Sequence, residues 1–418
     1  MSAAVRPETP VEEVVARAWT IPTDAPEADG TTAWDATTMC VVTARCADVV
    51  GTGWTYGPAA CAQLVNDQLG TVVAGLDAMD PTRAFGAMVA AVRNDTRTGV
   101  AGYAVSAVDV ALWDLKAKVA GLPLYQLLGG ASRTAVRTYG HAGGRDIPEL
   151  LDAVRARQAD GYTAIRVQCG VPGLDRMYAV PHASAGAPAV GPEVEEWDTP
   201  AYLRFLPSVF EAVRAEFGPE LPLLHDAHHR LTPIEAARLG RSLEPYDLFW
   251  LEDVTPAENQ EALRLVRSHT VTPLAIGEVF NTVWDYQTLI REQLIDYVRS
   301  SVTHTGGVTA LRRIFDFAAQ YQIRAAIHGP ADISPVGMAA GLHLNLAVHN
   351  FGIQEYAPHP PETFDVFHVG YRFESGYLHP GEAPGIGVTL DEQAAASYPY
   401  APGYLPVNTL RDGTVHDW

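Results

Sequence analysis

Four cysteines in 418 residues leave little scope for a disulfide framework. Cys40, Cys46, Cys61 and Cys169 form no CxxC pair, so reduced thiols in a cytoplasmic protein are the expectation. No apolar run approaches the roughly 18 residues that a membrane span requires. The stretch Met1–Val15 mixes Arg6 with several acids and lacks the apolar core of a secretory signal. Positive charge is scarce too: 29 Lys and Arg face 49 Asp and Glu, a formal charge of −20. Such a field repels phosphate backbones, which argues against nucleic acid and anionic membrane as partners. It also repels an anionic small substrate, so a bound cation must reverse the field locally.

What is present is ordinary globular composition, 47% apolar and 19% charged, in a chain long enough for one large domain and a smaller one. From about residue 134, short apolar runs alternate with longer amphipathic ones, the pattern of βαβ units. The expected strands are Val136–Tyr139, Ala164–Gln168, Leu221–His225, Leu248–Glu252, Leu274–Glu278, Tyr297–Val302, Arg324–Ile327 and Gly352–Glu355. Thr199-Pro200, Thr232-Pro233 and Thr255-Pro256 each offer a capping hydroxyl before a proline at the first helical position. Gly161 and Gly218 fall where the chain turns back to a strand. Eight such units suit a closed (β/α)7–8 barrel of the TIM type, typically about 250 residues. An open doubly wound sheet would want a glycine-rich phosphate loop near its first strand, and there is none.

Before the barrel, Thr37–Cys46 and Val50–Tyr56 read as strands. A helical stretch follows, in which Val105, Val108, Leu112 and Leu115 recur at helical spacing, stopped by Gly121 and Pro123. An N-terminal α+β capping domain is expected over residues 1–130, the barrel over 131–375, and a segment packing back on the cap over 376–418. The Pro, Gly and Ala-rich run between Gly170 and Thr199 is too long for an ordinary connection and reads as a lid or oligomer contact.

Asp226, Glu252 and Glu278 each end or nearly end an expected strand, in LLHDAHH, FWLED and LAIGE, and lie 26 residues apart each time. In a parallel barrel that spacing brings three carboxylates to one face and one height. Three like charges so close are costly unless a cation neutralises them. An all-oxygen set with open positions suits Mg²⁺. The bland alternative is three unrelated strand-end acids paired with nearby arginines.

HDAHHRLTPIEAARLG, FWLEDVTPAENQEALRLVRSHTVTPLAIGEVFN and the closing YLPVNTLRDGTVHDW resemble the D-mannonate dehydratase family of the enolase superfamily, over roughly Leu122–Trp418. The resemblance implies a Mg²⁺-dependent lyase that removes the proton beside a carboxylate and expels the neighbouring hydroxyl as water. D-Mannonate or D-gluconate would give 2-keto-3-deoxy-D-gluconate. Most sugar-acid relatives carry Lys-x-Lys at the end of the second barrel strand, where this chain has Arg166-Val167-Gln168. The family's Tyr–Arg arrangement instead maps onto Arg166 and, twelve residues on, Tyr178. An adjacent guanidinium lowers a phenol's pKa and so equips it as a base. His228, two residues past Asp226, is the candidate acid; His225 and His229 are read as packing residues. The resemblance further assigns His141, Arg299, His328 and Glu355 to substrate contact, with Asp332 and Trp418 as additional pocket residues. A homo-oligomer is expected.

The cap departs from this pattern. Mannonate dehydratases carry a stretch like GDATLNGRE whose Asn contacts substrate, whereas residues 51–60 read GTGWTYGPAA, with Trp54 and Tyr56 open to either a packing or a substrate role. The first hundred residues look more like caps of other sugar-acid dehydratases of the mandelate racemase subgroup. Two alternatives stay open: a racemase or epimerase of an α-hydroxy acid, and a catalytically idle binding protein that keeps the metal site. Against the first, RSSVTHTGG offers Ser301 where racemizing relatives place an Asp to assist the His on strand seven.

Overall fold

The computed structural model describes residues 8–28, 33–94, 98–174, 194–402 and 407–416. Its first sheet is antiparallel, in the order β1 (Glu13–Ala28), β2 (Ala33–Cys46) and β3 (Val49–Tyr56). The second and third strands fall where expected. The first carries Pro22 and Pro26, which obscure its pattern; as an edge strand it tolerates them, with a register shift between Pro22 and Glu27.

Strand alternation gives β3 two distinct faces. Gly51 and Gly53 lie against the Gly99–Ala120 helix, so closely that an added Cβ would sit 2.2 Å from the Ala111 carbonyl and 1.9 Å from that of Ala107. Trp54, on the other face, packs against Gly337 of the Pro335–Ala347 helix, where a Cβ would meet the indole at 3.1 Å. Trp54 is therefore packing, buried between cap and barrel. Gly121 ends the cap helix in the left-handed region at φ 69°, as its sequence predicts.

The barrel strands are β4 (Val136–Gly144), β5 (Ile165–Cys169), β7 (Leu223–Asp226), β8 (Trp250–Glu252), β9 (Leu274–Ile276), β10 (Tyr297–Ser300), β11 (Arg324–Ile327) and β12 (Phe351–Glu355). They pair in parallel in that order, and β12 pairs with β4 to close an eight-stranded barrel. All eight match the expected positions within a few residues. Inside, Tyr139, Ala164, Leu224, Trp250, Ala275, Ala326 and Ile353 fill one buried layer beneath the strand ends. A short extra strand, β6 (Val194–Glu196), pairs with Val407–Thr409 from the tail.

Helix starts follow the Thr-Pro reading once in full. Thr232 and Glu235 form a reciprocal capping box on Pro233–Leu243. The Thr199–Phe217 helix is capped one residue earlier, by the Asp198 side chain. No helix begins at Thr255-Pro256; turns occupy that stretch and the helix runs Ala262–His269. The tail returns over the cap, where Gly385 O accepts from Leu124 N and Ala401 O from Thr20 Oγ1. Among the described residues no helix is long and apolar enough to cross a membrane.

Candidate active site

The C-terminal ends of the barrel strands carry the carboxylates. Asp226 ends β7 and Glu252 ends β8, aligned in register. Glu278 follows β9 after Gly277, whose φ of +127° and contact with the Tyr286 ring exclude a side chain. Glu355 ends β12. Asp226, Glu252 and Glu355 have no exposed surface, and Glu278 is 8% exposed.

Two guanidinium groups thread this cluster. Arg166 Nη1 donates to Asp226 Oδ2 at 3.1 Å, Glu252 Oε1 at 3.2 Å and Glu355 Oε1 at 3.1 Å. Arg299, fully buried on β10, donates to Tyr139 OH at 3.1 Å, Asp253 Oδ2 at 3.0 Å, Glu355 Oε2 at 2.6 Å, and to Glu278. Burial disfavours both charges, but the carboxylates around them more than compensate and raise both pKa values. Glu355 also accepts from Gly329 N at 3.0 Å and lies 2.7 Å from His141 Nε2. Burial, with Arg166 beside it, pulls His141 down to about 4. Neutral, it donates to Glu355 through Nε2 and accepts from Arg166 at Nδ1, 3.3 Å away.

The chain leaves β7 at Asp226 through two left-handed residues, His228 at φ +46° and His229 at φ +60°, and leaves β8 through Asp253 at φ +43°. Such strain in non-glycine residues collects at functional sites. The strand therefore does not continue to His228, as strand alternation required. The turn nevertheless returns it to the site: its amide donates to Asp226 Oδ1 at 2.7 Å and its Nε2 lies 3.0 Å from Oδ2. His225 packs as expected, 2.6 Å from Tyr202 OH and 2.8 Å from Val167 O. His229 does not. The turn swings it toward the acids, with Nε2 3.3 Å from Glu278 Oε1. Against the cost of burial, Asp253 and Glu278 push its pKa up to about 9.

His328 follows β11 with Nε2 3.5 Å from Glu278 Oε2; its buried Nδ1 has no hydrogen-bond partner among the described residues. Ser301 bonds to Thr303, 2.9 Å away. Asp332 Oδ1 accepts from Tyr56 OH of the cap at 3.1 Å. Tyr178 and Trp418 lie outside the described residues.

Of the described residues, those whose ligand atoms fall within 4.8 Å of one another are His229, Asp253 and Glu278. This set shares only Glu278 with the triad read from the sequence, because Arg166 lies between Asp226 and Glu252 and Arg299 between Glu252 and Glu278. Asp253 was not singled out, although it adjoins Glu252 in LED. Its signal is the left-handed turn, which sequence does not reveal in a non-glycine residue.

The donor chemistry fits a hard dication. Among the described residues, Asp226, Glu252, Asp253, Glu278 and Glu355 face two arginines, Arg166 and Arg299. Burial, reinforced by neighbouring carboxylates, pushes Glu252 up and Asp253 to about 7. A divalent cation relieves that repulsion with oxygen ligands already in place.

Residues 149–394 match the family described as enolase C-terminal domain-like, and residues 13–129 the mandelate racemase / muconate lactonizing enzyme N-terminal domain. The chain is 63% identical over 328 residues to a D-galactonate dehydratase family member of Pseudarthrobacter chlorophenolicus, covering 75% of this chain and 80% of that one. It is 58% identical over 323 residues to a D-mannonate dehydratase of Rhizorhabdus wittichii, covering 75% and 79%. An enolase from Pantoea ananatis, solved with bound D-gluconate and Mg, is 33% identical with a TM-score of 0.83, over 96% of this chain and 99% of that one. With both domain types matched and relatives this similar, the chain belongs to the enolase superfamily and, within it, to the family of D-mannonate and D-galactonate dehydratases.

Proposed function

We propose that the protein is a Mg²⁺-dependent dehydratase of a six-carbon sugar acid, with D-mannonate and D-gluconate as first candidates. The observation that carries this reading is the buried carboxylate cluster at the strand ends, crossed by Arg166 and Arg299 and edged by His141, His228, His229 and His328. Asp226, Glu252 and Glu278 would hold the cation, with Asp253 and His229 beside it. When bound, a divalent cation supplies the electrophile that acidifies the carbon next to the substrate carboxylate.

Tyr178 is assigned as the base that takes that proton, with Arg166 favouring its phenolate form. His228 holds a proton at Nε2, against Asp226, and delivers it to the departing 3-hydroxyl, which leaves as water. The resulting enol becomes the 2-keto-3-deoxy acid. D-Mannonate and D-gluconate differ only at the carbon that loses its proton, so both yield one product. His141, His328 and Glu355 border the same space and would contact the substrate, with Trp418 as a further contact. The racemase alternative needs a second base, and among the described residues no acid bonds to Nδ1 of His328 to equip it.

The test is incubation with Mg²⁺ and a panel of hexonates, read as a semicarbazide-reactive keto acid. No turnover across the panel with metal bound would refute the dehydratase reading. Deuterium entering the α-carbon without loss of water would favour racemisation instead.

A further inference from the structure

Seven fully buried side chains form the layer beneath the strand ends, and five of them are aliphatic. The other two, Tyr139 and Trp250, carry one polar atom each and aim it at the same oxygen. Trp250 Nε1 donates to Glu252 Oε2, and Tyr139 OH donates to that oxygen over 3.4 Å. Arg299 Nε completes the group, 3.1 Å from Tyr139 OH and 3.3 Å from Glu252 Oε2. The Tyr139 hydroxyl has a single hydrogen; it accepts from Arg299 and gives that hydrogen to Glu252.

Local geometry explains the convergence. Trp250 lies two residues before Glu252 on β8, so strand alternation puts both side chains inside the barrel. The indole is held on several sides. Tyr139 meets it edge-on with centroids 5.5 Å apart, and Phe249 and Tyr297 lie 5.2 and 4.8 Å away. A buried indole N–H needs an acceptor, and here it takes a carboxylate, which makes the stronger bond. The two oxygens of Glu252 are thereby divided. Oε2 faces the layer and its donors. Oε1 lies 3.2 Å from Arg166 Nη1, a nitrogen that is also 3.1 Å from Asp226 Oδ2. Oε1 is thus the oxygen turned toward the neighbouring acid.

We propose that Trp250 is a positioning residue for the cation, which with Tyr139 pins Oε2 of Glu252 to the barrel interior and presents Oε1 as the ligand atom. This inference rests on the metal reading above and adds the side chains that set the angle of one ligand. A carboxylate fixed in advance gives up less conformational entropy when an ion binds.

The test is Mg²⁺ calorimetry on the full chain, comparing wild type with Trp250→Phe, Tyr139→Phe and Tyr297→Leu. Phenylalanine at 250 keeps a ring in the layer and removes the N–H, so Mg²⁺ affinity should fall about 10- to 100-fold. Tyr139→Phe, which removes the longer bond, should lose less. Tyr297→Leu removes a ring packed on Trp250 but no bond to Glu252. It should lower Tm and leave Mg²⁺ affinity within about twofold of wild type. Should Trp250→Phe not fold, benzothienylalanine at that position, with sulfur in place of the N–H, carries the comparison at nearly the same volume. A second readout is the ultraviolet resonance Raman band that reports indole N–H bonding, isolated by subtracting the variant at 250 from wild type. It should move toward a weaker bond when Mg²⁺ is added, because Glu252 then shares its charge with the ion. Unchanged Mg²⁺ affinity in the variant at 250 would overturn the proposal alone, as would a loss matched by Tyr297→Leu or a band that Mg²⁺ leaves in place. A wild-type protein that binds no Mg²⁺ overturns both this proposal and the metal reading.

Discussion

Arg299 Nη2 donates to Glu355 Oε2 over 2.6 Å, joining β10 to β12 across an interval with no water-exposed atoms on either side chain. The same guanidinium reaches Glu252, Asp253 and Glu278, so one side chain balances four carboxylates at three strand ends. Removing it takes a balancing cation away from four buried carboxylates. Arg299→Met is expected to cost on the order of 3–5 kcal/mol in metal-free buffer. Urea denaturation measures this, and a loss below about 1 kcal/mol would mean that the acids simply take up protons.

Metal binding separates the two candidate ligand sets. Asp226→Asn and Glu252→Gln should abolish detectable Mg²⁺ binding by calorimetry. His229→Ala and Asp253→Asn, as neighbours of the ligands, should weaken it by about 10- to 100-fold. The reverse order of effects would move the ion to the His229–Asp253–Glu278 group.

The acid and base assignments predict kinetic losses without loss of metal. Tyr178→Phe and His228→Asn should each lower kcat by about 10²- to 10⁴-fold, with Mg²⁺ affinity little changed for Tyr178→Phe. Undiminished turnover in either variant removes that residue from the chemistry.

Asp109 on the cap helix accepts at Oδ2 from Thr309 N, 2.9 Å away at the start of the Gly307–Ala319 helix, while its Oδ1 has no hydrogen-bond partner among the described residues. Burial raises its pKa from 3.8 to about 7. The folded state then binds this proton more tightly than the unfolded state, so its stabilising contribution is complete below pH 3.8 and is lost as pH rises toward 7. Asp109→Asn has no such titration. The Tm of wild type relative to the variant should fall between pH 5 and pH 8 by roughly what 1–3 kcal/mol produces; parallel Tm curves would contradict the assignment.

Gly53→Ala tests the docking of β3 on the cap helix. With the new methyl 1.9 Å from the Ala107 carbonyl, strand and helix must separate. A loss of about 3 kcal/mol or more is expected. An unchanged Tm would show that the sheet moves aside without penalty.

Much of this is legible in the sequence. The eight barrel strands announced themselves because each is a short apolar run closed by turn residues, and the 26-residue spacing of Asp226, Glu252 and Glu278 is the length of one βα repeat. Strand β1 was hidden by Pro22 and Pro26, which only an edge position admits. His229 was misplaced for a different reason: period-two alternation holds only while a strand lasts, and here it ends at Asp226.

Sequence by itself determined the closed barrel, its cap and the residues gathered at the strand ends, because periodicity and repeat length are local properties of the chain. Tertiary structure decided how those residues share their charge. Arg166 and Arg299 each answer to carboxylates from several strands, Asp253 and His229 enter the cluster through left-handed turns, and Tyr56 meets Asp332 only because β3 docks on the barrel. Hydrogen bonds between residues far apart in sequence depend on distances that no local pattern encodes.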